Sequence, residues 1–177
     1  MQNEVLLEVD NLKKYFPITR GLLRKKVGEI KAVDGVSFKI KRGETLGLVG
    51  ESGCGKTTIG RCILRQYDIT DGKIIFDGED ISSYSEDKLR KVRRKMSLIF
   101  QDPYSSLDPR QSAGSLVGEP LKIQRMFSST KEYNERIEEL FRMVGLDPSM
   151  TSRFPHEFSG GQRQRLGIAR ALACNPS

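Results

Sequence analysis

The run Gly50-Glu-Ser-Gly-Cys-Gly-Lys-Thr-Thr58 has the residue types and spacing that hold a polyphosphate. It fits the pattern G-x-x-x-x-G-K-[ST]. A polyphosphate has to leave its water and be met by many donors at once. Gly50, Gly53 and Gly55 admit backbone conformations closed to side chains, so the N–H groups of the loop, with Ser52, Cys54 and Thr58 among them, can converge on one anion. Lys56 supplies a mobile positive charge, and the Thr57 hydroxyl is placed to ligate Mg²⁺. The implied ligand is a nucleoside triphosphate.

Such a loop works only between a strand and a helix. Thr45-Leu-Gly-Leu-Val49 is a short apolar segment that reads as a buried strand, and Ile59, Ile63 and Leu64 follow at helical spacing. The new helix adds its positive end to the site.

Farther out, Glu4–Val9 reads as a first strand, and Ala32–Ile40 as another with Val36, Phe38 and Ile40 on one face. Between them the segment 19–29, with Arg20, Arg24, Lys25 and Lys26, reads as a basic surface loop. Asp71-Gly72 makes a turn into a strand over Lys73–Asp77, Ser85–Lys95 an exposed charged helix, and Met96–Phe100 a buried strand. Ser129-Thr-Lys-Glu132 reads as a capping box opening a helix with Tyr133, Ile137, Leu140, Phe141 and Val144 on one face, closed by Gly145. A last helix starts at Ser159-Gly-Gly-Gln162 and runs through Leu166, Ile168, Ala169 and Leu172. The order is a mixed β start, a parallel αβ centre and a helix-rich insertion.

The bulk properties fit one domain. The chain has 177 residues, enough to bury a core, with 37% hydrophobic and 30% charged residues. No apolar run reaches the length of a membrane span, and no signal-peptide core stands at the N-terminus. The net charge of +7 is compatible with an acidic partner, but a nucleotide site accounts for it without nucleic acid. Cys54, Cys62 and Cys174 lack metal-ligand spacing and read as reduced thiols of a cytosolic protein; a lone His156 cannot build a metal site.

The second strong signal is Phe158-Ser-Gly-Gly-Gln162 followed by Arg163-Gln-Arg-Leu-Gly-Ile-Ala-Arg170. Together with the phosphate loop it resembles the ATP-binding cassette (ABC) ATPase family, whose signature is Leu-Ser-Gly-Gly-Gln; Phe158 stands in the leading place, where a side chain packs. The resemblance covers essentially the whole chain. It implies an α/β fold of the P-loop NTPase class in its ABC ATPase form: a single domain over 1–177, with a nucleotide-binding core over 1–100, a Q-loop and helical subdomain over 101–158, and the signature helix over 159–177. It implies ATP and Mg²⁺ as ligands, with Gln101 as the Q-loop glutamine reaching Mg²⁺ and the attacking water. It also implies an aromatic residue near the N-terminus stacking on adenine, Phe16 in the favoured place and Tyr15 as the alternative. Two such domains pair head to tail in this family. Ser159, Gly160 and Gly161, with Gln162 behind them, would then meet the γ-phosphate held by Lys56 of the other chain.

Within the family, Lys31–Phe38, Ile99–Arg110 and Phe154–Arg165 resemble the ATPase subunits of oligopeptide and dipeptide importers, a group that also serves nickel and opines, and the insertion over 16–29 is in keeping with it. The run Asp102–Arg110 would be a rigid exposed connector to a membrane subunit. That resemblance implies a peripheral protein at the cytoplasmic face of the membrane, coupled to permease subunits and, indirectly, to an extracytoplasmic binding protein, with no nucleic acid. Its alternatives are a soluble ABC ATPase acting on nucleic acid or ribosomes and a non-catalytic nucleotide-binding fragment. The family's apolar strand ending in Asp-Glu is expected to begin about where Asn175-Pro176-Ser177 stands, so the chain reads as C-terminally incomplete, a weak binder with negligible turnover by itself and with an unpaired apolar sheet edge.

Overall fold

A computed structural model describes residues 4–21, 25–100, 102 and 106–177. The chain divides into two compact units, Met1–Leu89 and Arg90–Ser177. The division therefore falls ahead of residue 101.

The first unit is built on a four-stranded antiparallel sheet in the order β2-β1-β3-β4. Its strands are β1 (Val5–Arg20), β2 (Lys25–Lys41), β3 (Asp71–Phe76) and β4 (Glu79–Asp80). Leu7 and Val9 alternate inward along β1, as period two requires. Strict alternation would then bury Asn11. A bulge prevents this: Val9 faces Phe38, but Leu12 faces Val36, and Asn11 sits at φ 47°. Leu12 is thereby fully buried. Gly72, at φ 93°, backs onto the bulge so closely that a Cβ would run into the Asn11 carbonyl. The helix α1 (Lys56–Ile63) lies against β1 and β2 and buries Ile59 and Cys62, and burial pushes the Cys62 thiol pKa up.

Beyond the Lys13–Asp71 pair β3 no longer accompanies β1. The first two strands continue as a ribbon through the pairs Phe16–Ile30, Ile18–Gly28 and Arg20–Lys25. The segment expected as a loop over 19–29 is therefore largely strand. Arg20, Lys25 and Lys26 stay solvated at the ribbon's end while the ladder satisfies the backbone.

Two other expectations are corrected. Neither Thr45–Val49 nor Met96–Phe100 forms a strand, and among the described residues no parallel pair exists. Leu46, Leu48 and Val49 are 43%, 44% and 89% exposed, and Ile99 and Phe100 are 50% and 45% exposed. A buried parallel strand takes its hydrogen bonds from neighbours on either side. Apolar composition cannot substitute for those neighbours.

The second unit is helical. α2 (Glu86–Arg93) spans the boundary between the units; α3 (Ala113–Ile123), α4 (Thr130–Met143) and α5 (Gly160–Leu172) follow, with short 3-10 turns at Pro148–Ser152 and Pro155–Glu157. Leu116, Val117 and Leu121 of α3 meet Ile137, Leu140 and Phe141 of α4 and Leu166 and Ala169 of α5 in one core. Leu107 belongs to that core, so the run after residue 102 is not merely an exposed connector. At α4 the Ser129 hydroxyl accepts from Lys131 N, without the reciprocal bond expected of Glu132 among the described contacts. Gly145 closes the helix at φ 70°. Arg170 ties α5 to its surroundings, donating to the Ser106 carbonyl at 2.8 Å and the Glu119 carboxylate at 2.9 Å.

Phe141 is fully buried. Phe141→Ala should cost about 3–5 kcal/mol of stability, read from the denaturant midpoint at unchanged slope. Arg110 donates to the Asp108 carboxylate from its backbone N and from its guanidinium, at 3.0 Å and 3.0–3.2 Å. These bonds hold the Asp108 pKa down at about 2. A depressed carboxylate contributes stability that is present above the ordinary aspartate range and lost as pH falls through the folded value. Carboxyl NMR should show Asp108 titrating near 2, and Arg110→Ala should move its midpoint up toward about 3.9.

Candidate functional site

Lys56 opens α1, and Gly55 before it is the N-cap at φ 98°, with no side-chain hydrogen bond to the helix. The position requires glycine twice over. Its φ is left-handed, and a Cβ would strike the Ala32 carbonyl of β2. Gly50 and Gly53 also adopt positive φ, 154° and 85°, which folds the loop back on itself. The Lys56 ammonium donates to the carbonyls of Gly50 at 2.7 Å and Glu51 at 2.6 Å and lies 3.4 Å from the Cys54 sulfur.

The first helical bond runs from Ile59 N to Gly55 O, at 2.9 Å. The amides of Lys56, Thr57 and Thr58 thus precede the ladder and belong to the helix's positive end. Ser52, Gly53, Cys54 and Thr57 are exposed, Thr58 is half-buried, and no acidic residue stands in the first turn. What faces solvent here is a set of donors around one cation, a site for a polyanion.

Of the two aromatic candidates, Tyr15 is committed elsewhere. Its hydroxyl donates to the Asp34 carboxylate, which raises the phenol's pKa and lowers the carboxyl's, and Lys31 lies over its ring at 5.1 Å. Phe16 is half-buried and meets Tyr67 edge to face at 5.5 Å. The hydroxyl of Tyr67 accepts from Arg61 on α1 at 2.6 Å, so Phe16 is joined to the phosphate-loop helix.

Ser159, Gly160, Gly161 and Gln162 belong to the second unit and start α5. Ser159 is the N-cap: its hydroxyl oxygen accepts from Gln162 N at 3.3 Å, while Gln162 Oε1 accepts from Ser159 N at 2.9 Å. This is the complete capping box of the chain's second motif. The Ser159 hydroxyl proton and the amides of Gly160 and Gly161 remain at the exposed helix start, and a Cβ on either glycine would meet open space. Phe158, just before them, is buried in the helical core and anchors the turn. Glu157 braces it from behind by accepting from Phe154 N at 2.6 Å. His156 is exposed and stacked on Phe154.

Gln101 lies outside the described residues. Among those described, no group of three His, Cys, Asp or Glu side chains could hold a metal, and no helix is long and apolar enough to cross a membrane. The reciprocal role of Gln162 was legible as S-x-x-Q; the contact of Phe16 with Tyr67 joins residues far apart in sequence and carries no local signal.

The sequence profile of the ABC transporter family matches residues 33–177. The chain is 58% identical over 174 residues to the oligopeptide transport ATP-binding protein AppF of Bacillus subtilis (strain 168), covering 98% of this chain and 53% of that protein. It is 51% identical to the oligopeptide transport ATP-binding protein OppF of the same organism, covering 98% and 55%. The chain thus spans about half the length of these relatives. Among solved structures, the ATP-binding cassette MJ0796, dimeric in a post-hydrolysis state with ADP and Pi, superposes with a TM-score of 0.81 at 32% identity, covering 96% of this chain and 70% of that one. The glycine loop with its lysine, the serine-capped signature helix and this breadth of likeness lead to one assignment: the chain belongs to the ABC transporter family.

Proposed function

We propose that this chain is the nucleotide-binding part of the energy-coupling subunit of an importer for oligopeptides or dipeptides, and that it binds and hydrolyses ATP as one half of a head-to-tail ATPase pair. The observation that carries the reading is the uncapped start of α1, where Lys56 rests on the Gly50 and Glu51 carbonyls and has no carboxylate partner among the described residues. A triphosphate offers that ammonium anionic oxygens in place of neutral carbonyls, adding the attraction of opposite charges to hydrogen bonds that are already charge-assisted on the donor side. The loop amides and α1 dipole stabilise the β- and γ-phosphates, and Phe16 stacks on the base.

The donor set fits Mg²⁺. Thr57 offers one hard hydroxyl oxygen in the exposed first turn, and Mg²⁺ keeps water and phosphate oxygens for most of its shell. Bound with the nucleotide, the ion neutralises charge on the β- and γ-phosphates. Gln101 is assigned the orientation of the attacking water. From the partner cassette, the Ser159 hydroxyl and the Gly160 and Gly161 amides donate to the γ-phosphate, which makes ATP the adhesive between the two. Loss of that phosphate removes the adhesive, and opening is passed to the permease subunits as a two-state change. On this reading the protein sits peripherally at the cytoplasmic face of the membrane, with an extracytoplasmic binding protein acting through the permease. The names of the relatives AppF and OppF support the peptide class.

Lys56→Ala should weaken MgATP binding by about one to two decades in Kd, read by titration calorimetry. In cells, deleting the gene should abolish uptake of oligopeptides, and a copy carrying Lys56→Ala should not restore it; uptake unchanged by the deletion would refute the assignment. Gly161→Asp tests the pairing. A Cβ there meets open space, and an acidic residue in a first turn favours the helix, so the fold should persist. ATP-dependent pairing in sedimentation velocity should nevertheless be lost, because the carboxylate faces the γ-phosphate.

A further inference from the structure

Phe16 does not stand alone on its ribbon. Lys14, two residues earlier on β1, places its ammonium 4.9 Å from the centre of the Phe16 ring and 5.8 Å from that of Tyr67, while donating to the Asp68 carbonyl at 2.7 Å. Tyr67 meets Phe16 at 89° between ring planes, the edge-to-face arrangement that aromatic quadrupoles favour. Tyr67 in turn is held by α1: Arg61 donates to its hydroxyl at 2.6 Å and stands over its ring at 5.5 Å, and Tyr67 N donates to the Arg61 carbonyl at 3.3 Å. The chain of contact runs from Phe16 through Tyr67 to the helix that the phosphate loop opens.

A second path fixes the spacing. Phe16 pairs with Ile30, and Gly55 of the phosphate loop abuts the carbonyl of Ala32. Those two β2 residues are two steps apart, and Ala32 lies at the bulge between the Lys14–Val33 and Tyr15–Lys31 pairs. Base platform and phosphate loop are thus locked to each other along the strand and across α1.

The geometry points to Lys14 and Tyr67 as positioning residues that orient the Phe16 ring for the nucleotide base and tie it, through Arg61, to the phosphate-loop helix; the inference rests on the stacking role proposed for Phe16. A cation over one face of a ring leaves the opposite face for a purine and draws π-density toward itself, which favours an electron-rich base. Tyr67 prevents the ring from turning edge-on to that base. Neither residue touches the phosphates in this scheme. Their contribution should therefore appear only for ligands that carry a base.

The test is calorimetric titration of the intact protein with MgATP and, in parallel, with magnesium tripolyphosphate, which has the phosphates and no base. Lys14→Met keeps the apolar stem and removes the charge; Tyr67→Leu removes the ring. Each should weaken MgATP about three- to tenfold and leave tripolyphosphate within about twofold, which also shows that the loop is folded. In a Phe16→Ala background, itself weakened for MgATP alone, neither substitution should have a further effect. Equal losses for both ligands, or a loss of MgATP affinity that persists without Phe16, would overturn the positioning role while leaving Phe16 as the platform. Phe16→Ala with unchanged MgATP affinity would instead overturn the stacking reading, and this inference with it.

Discussion

A helix start has N–H groups that its own ladder cannot satisfy, and how each start meets that need organises this molecule. α3, α4 and α5 begin on Ser112, Ser129 and Ser159, whose hydroxyl oxygens accept a backbone N–H. α1 begins on Gly55 with no such cap. The difference is chemical. A serine at residue 55 would collide with the Ala32 carbonyl, and its hydroxyl would satisfy internally the donors that an anion is meant to meet. The start of α1 is left without an internal cap, its first amides free for an anion.

The signature helix solves the same problem differently. Ser159 and Gln162 satisfy each other's backbone amides, so α5 is stable before any nucleotide arrives. Gly160 and Gly161 keep the approach free of side chains. One helix start is thus left uncapped and the other is capped from within, both exposed to an approaching anion. That asymmetry is in keeping with the head-to-tail pairing proposed above.

Much of the rest serves rigidity behind these two starts. The β1 bulge brings Leu12 inward and Gly72 close, and it carries Lys14 and Phe16 onward into the ribbon beside α1. In the helical unit Phe158 plugs the core directly before Ser159, and Arg170 secures the far end of α5 to Ser106 and Glu119. Both units spend most of their apolar side chains on these supports. Among those left exposed are Leu46, Leu48, Val49, Ile99 and Phe100, which read as strand from their composition.

The phosphate loop, the signature turn, α4 and most strands of the antiparallel sheet were legible in the sequence. Each is specified by near neighbours: glycines where φ turns positive, a serine three residues before a glutamine, apolar residues at period two or near 3.6. Local chemistry of that kind determined what the chain binds with. Only the tertiary structure decided which segments pair and which side chains meet. Thr45–Val49 has strand composition but no ladder, because hydrogen bonds between strands come from partners elsewhere in the chain. The 19–29 segment has loop composition but is mostly ladder, because its two sides found each other. Phe16 and Tyr15 are adjacent and similar by sequence. The contacts that separate them, Tyr67 for one and Asp34 for the other, come from residues distant along the chain, and only folding brings those within reach.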